Sequence, residues 1–318
     1  PHGRIRFPQT SQAAENPGVY AVYTGEDICS VIPNPYYGPA FHDQPILALG
    51  KVRYAGEPVA AVLAVDPHTA ETAAQAIVAE YEEMAAVYDE VEAMTSAAIV
   101  HDALKPAGTF ADFKHLIGRT ETNVALDFHL RHGDTGKAFA EADHVFEHIF
   151  RTQQTMHTPF EPMVAIAEAG AGQATIHTST QSPSFVRFEL ARLLGWPENS
   201  VRVRTAYLGG GFGAKQDCFQ HEFLCALLAR ATRRPVRMEF TRHETFVAGR
   251  SRHPFKLWLK QGFRNDGTLT AREMKVVYDS GAYGSHGPGV TIVGTTSATS
   301  LYRCDNVRLE GRCVYTNM

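Results

Sequence analysis

The segment that most clearly suggests chemistry is LGGGFGAKQD at 208–217, which holds four glycines and one alanine. Glycine at this density weakens regular secondary structure, so we expect another group to approach the bare backbone closely. Consecutive main-chain amides ahead of a helix N-terminus bind electronegative oxygens. The segment therefore predicts a site for a nucleotide phosphate, for a different cofactor, or for another part of the protein.

The first alternative is a nucleotide site. The stretch Gly209–Ala214 fits the GxGxxA spacing of dinucleotide-binding loops and lies between a predicted strand and a predicted helix. That fingerprint also expects an acidic residue about 20 residues further on, and Glu239 comes about ten residues too late. A Walker phosphate loop is excluded because Gln216, not Ser or Thr, follows Lys215. An NAD(P)-dependent dehydrogenase and a glycine turn without a ligand stay open at this point.

A second motif, HVFEH at 144–148, fits the HxxEH spacing of zinc peptidases. That chemistry needs two histidines on adjacent helical turns, whereas the surrounding pattern alternates like a strand. Positions four apart on a strand are about 13 Å apart at roughly 3.3 Å per residue, too far for one zinc ion. We therefore expect His144 and His148 to be sheet-face residues rather than metal ligands.

The sequence marks the starts and ends of the strands and helices around the glycine segment clearly. VRVRTAY (201–207) predicts a strand entering it, and CFQHEFLCALLARATRR (218–234) predicts a helix leaving it. An earlier helix is expected to have Ser182 as its N-cap, Pro183 as its first residue and Gly195 as its stop. Asn265-Asp266-Gly267 between two alternating runs predicts a hairpin.

The N-terminal stretch predicts a strand-and-helix layer. VYAVYT (19–24) and PVAAVLAV (58–65) are short apolar runs typical of strands. Asp66 and Pro67 then predict a helix start, and apolar residues at helical spacing extend from Ala70 to Tyr81. We predict a domain over 1–93, a linker over 94–124, and a second domain over 125–318.

Composition excludes several classes of protein. A net charge of -4 without a basic run argues against nucleic acid, and no apolar run reaches the roughly 18 residues of a membrane span. Five cysteines without CxxC spacing favour reduced thiols and a cytoplasmic location. The chain starts without methionine and stops abruptly, which suggests a fragment, a processed chain or part of a split protein.

Several stretches, in order along the chain, resemble the molybdenum-binding subunit of the xanthine dehydrogenase and aldehyde oxidase family. They are PHGRI, PGVYAVYTGEDI, VRYAGEPVAAVLAVDPHTAETAAQAIVAEYEE, MHTPFEPMVAIAE, STQSPSFVRFELARLLGWP, VRVRTAYLGGGFGAKQD, DSGAYGSHGPGV and CVYTN. The resemblance implies an α+β chain: an α/β hammerhead domain, then the first part of a mixed α/β molybdopterin-binding domain.

The resemblance also implies roles for particular residues. Gln181 is expected to contact an oxo ligand of the molybdenum. The backbone of Gly210, Gly211, Phe212 and Gly213 is expected to face the metal's ligands and the pterin. No side chain of this chain is assigned as a metal ligand.

One departure from the family bears on the substrate. Purine-oxidising members have a glutamate where this chain has Gln216, which we assign to the substrate side of the site. A neutral amide bonds a ring nitrogen or a carbonyl but cannot act as a charged anchor, so xanthine is disfavoured and an aldehyde or N-heteroaromatic compound is favoured. If Gln216 instead only begins the next helix, it has no such role.

The resemblance finally implies what the rest of the enzyme supplies. The family's general base, a glutamate, and its substrate arginine belong to a part that follows this chain, so the chain alone should be inactive; Glu161 is not assigned as a substitute. The expected cofactor is molybdopterin with molybdenum, as the cytosine dinucleotide. Expected partners are the C-terminal half or a second molybdopterin subunit, an iron–sulfur subunit and an FAD subunit. The rival hypotheses are the dehydrogenase and a non-catalytic scaffold.

Overall fold

The computed structural model describes residues 2–104, 116 and 121–318. Its strands are β1 (Gly3–Gln9), β2 (Val19–Thr24), β3 (Tyr36–Tyr37), β4 (Gln44–Pro45), β5 (Lys51–Val52), β6 (Ala60–Ala64), β7 (Val78–Glu83), β8 (Val124–His132), β9 (His144–Arg151), β10 (Thr155–Met156), β11 (Val164–Gly170), β12 (Gln173–Thr178), β13 (Val201–Arg204), β14 (Val236–Glu239), β15 (Ser251–Arg252), β16 (Phe255–Phe263), β17 (Leu269–Asp279) and β18 (Val307–Val314). Its α-helices are α1 (Ser11–Ala14), α2 (Gly25–Val31), α3 (Pro67–Gln75), α4 (Thr135–Ala140), α5 (Pro183–Leu194), α6 (Gln220–Thr232), α7 (Arg242–Ala248) and α8 (Gly287–Ser297).

The chain divides into two compact units, each built from separated segments. The first comprises Pro1–Gly38, Gln44–Ala85 and Met156–Ser251, and the second comprises Pro39–Asp43, Ala86–Thr155 and Arg252–Met318. Residues 105–115 and 117–120 of the predicted linker, about half of it, lie outside the described residues. The predicted boundaries of the two domains and the linker therefore stay predictions.

The first unit contains a four-stranded mixed sheet in the order β13-β12-β11-β14. Strands β12 and β13 run parallel, whereas β11 is antiparallel to both of its neighbours. Helices α5 and α6 contribute Val186, Leu190, Phe223 and Leu228 to a core with alanines and Ile176 of the sheet. The parallel pair matters for the site, because the carboxyl ends of β12 and β13 meet at one sheet edge.

Helix α5 has the predicted bounds, starting at Pro183 and ending before Gly195, which is left-handed at φ 64°. Ser182 is its N-cap, but its side chain makes no capping bond. Instead its backbone N–H is held by the Thr180 hydroxyl at 3.1 Å. The local signals therefore located the helix correctly, while the capping contact comes from the preceding turn.

The N-terminal part of the first unit shows one error in the sequence interpretation. Helix α3 starts at Pro67 with Asp66 accepting the Thr69 N–H, as predicted, but it ends at Gln75. Residues Val78–Glu83 form strand β7, which pairs antiparallel with β1. The apolar spacing up to Tyr81 predicts a helix because local periodicity does not contain the pairing with a distant strand.

The second unit is built on a five-stranded sheet in the order β8-β18-β17-β16-β9. The hairpin between β16 and β17 is confirmed, with Gly267 at φ 87° in its turn. His144 and His148 lie on β9, an exposed edge strand, and not on a helix. Among the described residues no three His, Cys, Asp or Glu side chains form a metal-binding group. The mixture of sheets and helices in both units confirms the α+β class.

Candidate functional site

The topology of the first unit brings Gln181 to the glycine segment. Gln181 follows β12, which ends at Thr178, and the glycine segment follows β13, which ends at Arg204. Because these strands are parallel neighbours, the segments leaving their carboxyl ends emerge side by side. Residues separated by about thirty positions in sequence are therefore adjacent in space, and Gly213 N–H donates to Gln181 Oε1 at 2.9 Å.

Gln181 is tied to the segment by both its side chain and its backbone. Its Oε1 also accepts the Lys215 N–H at 3.3 Å, and its own N–H donates to the Lys215 carbonyl at 2.8 Å. Since the amide oxygen is held by two backbone donors, the orientation of the amide is set. Within the described residues its Nε2 has no hydrogen-bond partner, so this donor is available to a ligand.

The backbone of the glycine segment depends on the absence of side chains. A Cβ on Gly211 would lie 2.4 Å from Gln181 Oε1, so a larger residue there would displace the amide from its two backbone donors. Gly210 and Gly213 have φ of 97° and 99°, which side chains rarely adopt. Phe212 between them is also left-handed, at φ 54°, and its side chain is 65% exposed. The four predicted cofactor-facing residues thus form one turn with an exposed aromatic at its apex.

Two residues that sequence analysis did not assign to the site hold this turn. Lys215 is buried, and its Nζ lies 2.7 Å from Glu161 Oε2. Gly209 N–H donates to the same carboxylate oxygen at 3.0 Å. No spacing rule connects residues 54 positions apart. The single lysine of LGGGFGAKQD did indicate that such a contact exists, because a lysine among apolar neighbours needs a charged or hydrogen-bonding partner.

Gln216 lies in the turn after Lys215 and is exposed. Helix α6 starts at Gln220 and not at Cys218 as predicted, so Gln216 does not begin the helix. The same fact argues against the dinucleotide interpretation, in which the motif itself opens the helix. Here Ala214 and Lys215 still belong to the turn. The substrate-side role of Gln216 stays a prediction.

The start of α6 places ionisable groups in the interior behind the turn. Burial raises the pKa of the Glu222 carboxyl to about 7, although Phe219 N–H and the Thr178 hydroxyl donate to it. Burial, together with the Lys215 charge, lowers the pKa of His221 to about 3. His221 is therefore neutral near pH 7, and both of its ring nitrogens lack a hydrogen-bond partner among the described residues.

A separate cavity of about 480 Å³ opens on the five-stranded sheet of the second unit. Trp258, Lys260, Glu273 and Arg308 are among its lining residues, and none of the predicted site residues contributes to it. Its charges are largely paired, for example Lys260 with Glu147 at 2.8 Å. Because its side chains satisfy each other, we place the candidate site at the glycine turn of the first unit.

The fold and this turn define a cofactor-binding α/β module that offers bare backbone and one oriented amide to a ligand. Residues 1–85 match the family "Aldehyde oxidase and xanthine dehydrogenase, a/b hammerhead domain", and residues 117–318 match "Molybdopterin cofactor-binding domain". The chain therefore belongs to the molybdopterin-binding subunits of the xanthine dehydrogenase and aldehyde oxidase family. The predicted resemblance and the hammerhead fold are confirmed.

Individual relatives agree with this assignment. The whole chain is 35% identical to a probable xanthine dehydrogenase subunit of Bacillus subtilis, spanning 40% of that protein. It is 33% identical to the nicotinate dehydrogenase large molybdopterin subunit of Eubacterium barkeri, spanning 70% of that subunit. Quinoline 2-oxidoreductase of Pseudomonas putida 86 superposes with a TM-score of 0.87 at 30% identity, over 99% of this chain and 39% of that one.

Membrane-spanning helices are not found: in the part of the chain that the structure describes, no helix is both long and apolar enough.

Proposed function

We propose that this chain is the molybdenum-cofactor-binding part of a hydroxylase that oxidises an N-heteroaromatic or aldehyde substrate. The observation that supports this most strongly is the contact between Gln181 and the turn at Gly211 and Gly213. It combines backbone that tolerates no side chain with an amide whose donor end is available.

The residues present fit a bulky cofactor with electronegative ligands. A Cβ at Gly211 would meet Gln181, so the two groups are adjacent, and the amides of Gly211 and Phe212 lie in the same turn, whereas the Gly213 amide already donates to Gln181 Oε1. Successive amides in left-handed and turn conformations form an anion-binding nest. Gln181 Nε2 would donate a hydrogen bond to a ligand oxygen. When bound, the molybdenum centre would accept two electrons from the substrate and deliver oxygen derived from water.

The remaining parts of the enzyme are proposed from the family. The cofactor would be the cytosine dinucleotide form of molybdopterin. All five cysteines are free thiols, and the described residues contain no group of them that could hold a cluster, so 2Fe–2S clusters and FAD would belong to partner subunits. The free thiols also support a cytoplasmic location.

The general base would come from a second polypeptide segment, either the C-terminal half or a second molybdopterin subunit. Glu161 does not suit that role, because its Oε2 is occupied by Lys215 and by Gly209. In this proposal Glu161 holds the turn and moves no proton. The chain by itself would therefore not turn over.

The exposed amide at Gln216 supports an uncharged contact with the substrate. Two relatives are named for N-heteroaromatic compounds, nicotinate and quinoline, which favours that class. An aldehyde remains the second candidate, because the matching hammerhead family includes aldehyde oxidases. Xanthine stays disfavoured because the Gln216 amide cannot act as a charged anchor.

A test uses the complex purified from its host with all bound subunits. A panel of nicotinate, quinoline, xanthine and benzaldehyde would be offered in ¹⁸O-labelled water with an artificial electron acceptor. We expect labelled product from a heteroaromatic compound or the aldehyde. NAD(P) reduction that continues without molybdenum would support a dehydrogenase and contradict the proposal, as would a hydroxylated heteroaromatic product without the label. No turnover by a molybdenum-free complex would support a scaffold.

A further inference from the structure

One carboxylate oxygen joins the two ends of the glycine turn. Glu161 Oε2 accepts the N–H of Gly209 at 3.0 Å, where the turn begins, and the ammonium of Lys215 at 2.7 Å, where it ends. The backbone adds a further bond, because Glu161 N–H donates to the Gly209 carbonyl at 3.2 Å. The turn is therefore closed on itself through a residue from a different segment.

The Lys215 end of this arrangement is in the protein interior. The Lys215 side chain is 1% exposed, and Glu161 is the ion-pair partner that the structure gives it within the described residues. A buried ammonium without a counter-charge is strongly unfavourable, so this pair is unlike an exposed one. Removing either partner would therefore free the Lys215 end of the glycine turn, and would not merely remove a contact at the surface.

The same lysine also determines where Gln181 lies. Lys215 N–H donates to Gln181 Oε1, and the Lys215 carbonyl accepts both Gln181 N–H at 2.8 Å and the Thr180 hydroxyl at 3.3 Å. A displacement of Lys215 would therefore move the amide side chain and the glycine backbone together. The segment that bears Glu161 is fixed in turn, since Arg242 donates to the carbonyls of Pro159 and Phe160.

We propose that Lys215 and Glu161 are positioning residues that preorganise the cofactor-facing backbone and Gln181 before the cofactor arrives. Neither residue is assigned a contact with the ligand. Three of the four residues Gly210–Gly213 have positive φ; the two glycines adopt it readily, whereas Phe212 at φ 54° is strained and needs surrounding contacts to persist. The inference rests on the proposed function only for the identity of the ligand that the turn receives.

The test compares Lys215→Met and Glu161→Gln with Lys260→Met in the complete complex. Lys260 is a matched control, because its Nζ also pairs with a glutamate, Glu147, at 2.8 Å, but on an exposed sheet face of the second unit. Amide hydrogen exchange of 208–216 would be measured with and without cofactor, the latter after expression in a host that makes no molybdopterin. Molybdenum content and melting temperature would be recorded in parallel.

In the cofactor-free protein, we expect exchange of the amides at positions 209, 213 and 215 to accelerate about ten-fold or more in Glu161→Gln, because this change leaves the Lys215 ammonium buried without a counter-charge. The acceleration should be smaller in Lys215→Met, which removes the buried charge itself. Lys260→Met should stay within about two-fold of the wild type. In the cofactor-expressing host, molybdenum content should fall in the order wild type, Lys215→Met, Glu161→Gln. If Glu161→Gln does not fold, Lys215→Met gives the same comparison.

Unchanged amide exchange in 208–216 would overturn the proposal. This holds even if the melting temperature falls, because the substitutions would then only have destabilised the protein in general. The failure of the proposed function has a different signature. In that case the wild type would contain no molybdenum, while the variants would still accelerate exchange in the turn.

Discussion

The oxygen and the nitrogen of the Gln181 side-chain amide have different roles. Its oxygen is an anchor, accepting the N–H groups of Gly213 and Lys215. Its nitrogen is the end offered to a ligand. Substitutions that keep one end and change the other therefore separate the structural contribution of this residue from its contribution to binding.

Gln181→Glu keeps an acceptor oxygen for both backbone donors but replaces the donor end with a negatively charged oxygen. We expect the exchange rates of 208–216 to stay near wild type, while turnover of the complete complex falls about 10²–10³-fold, as when a single donor to developing charge is lost. Gln181→Ala, which removes both ends, should impair turnover and loosen the turn. Wild-type turnover in Gln181→Glu would show that the donor has no role.

Gly211 is the glycine of the turn at which an added Cβ would come closest to another group. In Gly211→Ala the new methyl carbon would lie 2.4 Å from Gln181 Oε1 and should cost about 1–3 kcal/mol of unfolding free energy, with loss of molybdenum. Gly170→Ala is the control, because a Cβ there meets nothing within 4 Å. We expect it to change stability by less than about 1 kcal/mol. Denaturant unfolding of both variants checks this, and equal effects would contradict the packing argument.

Gln216→Glu tests the substrate-side assignment. Because Gln216 is exposed and does not begin a helix, the change should leave molybdenum content and stability intact. We expect the kcat/KM ratio between a purine and an aldehyde to shift towards the purine, since a carboxylate can anchor or share a proton with the ring. Substrate ratios that stay the same as in the wild type would show that Gln216 does not face the substrate.

At the scale of elements, much of the site could be predicted from local signals. The strand, the glycine turn and the following helix are marked by apolar alternation, by glycine and by helical spacing. The contact of Gln181 with the turn follows once β12 and β13 are known to be parallel neighbours. The pair of Lys215 with Glu161 could not be predicted, because it depends on where a third segment passes.

The misplaced ends of the two helices have different causes. The residues after Gln75 have a spacing compatible with a helix, but pairing with β1 draws them into β7. Helix α6 starts two residues later than predicted because Phe219, not Cys218, is its N-cap, and Glu222 accepts the Phe219 N–H at 2.7 Å. The first error arises where a tertiary contact overrides a local preference, whereas the start of α6 is fixed by a local bond between residues three apart.

Two buried side chains in the first turn of α6 should make the free energy of unfolding depend on pH. Burial raises the pKa of Glu222 from 4.5 to about 7, so its stabilising contribution is complete below about pH 4.5 and is lost as the pH rises through 7. The loss would reach up to about 3 kcal/mol. In Glu222→Gln this decline between pH 4.5 and 7 should become shallower in denaturant unfolding, and an unchanged slope would contradict the assignment.

His221 on the same helix acts in the opposite direction. Its pKa is lowered by burial and by Lys215 from 6.5 to about 3, so its contribution is complete above pH 6.5 and is lost as the pH falls through 3. His221→Phe should therefore resist acid better than the wild type. The two variants together distinguish the groups, because they change the slope of the pH profile in opposite directions.

At the scale of the whole molecule, each compact unit is assembled from segments that are far apart in sequence. The site lies within the first unit, which combines residues up to Ala85 with Met156–Ser251. Composition and periodicity describe segments one at a time and could not predict this assembly. The family resemblance covered nearly the whole chain because it depends on the order of motifs and not on how they pack.

The proposed function requires that the turn at Gly210–Gly213 receives a molybdenum cofactor. The most direct measurement is the molybdenum and pterin content of the complex purified from its host, compared between wild type, Gly211→Ala and Gly170→Ala. We predict about one molybdenum atom and one pterin per copy in the wild type and in Gly170→Ala, and a large loss in Gly211→Ala. A wild-type complex without molybdenum, or a Gly211→Ala complex with full occupancy, would contradict the account.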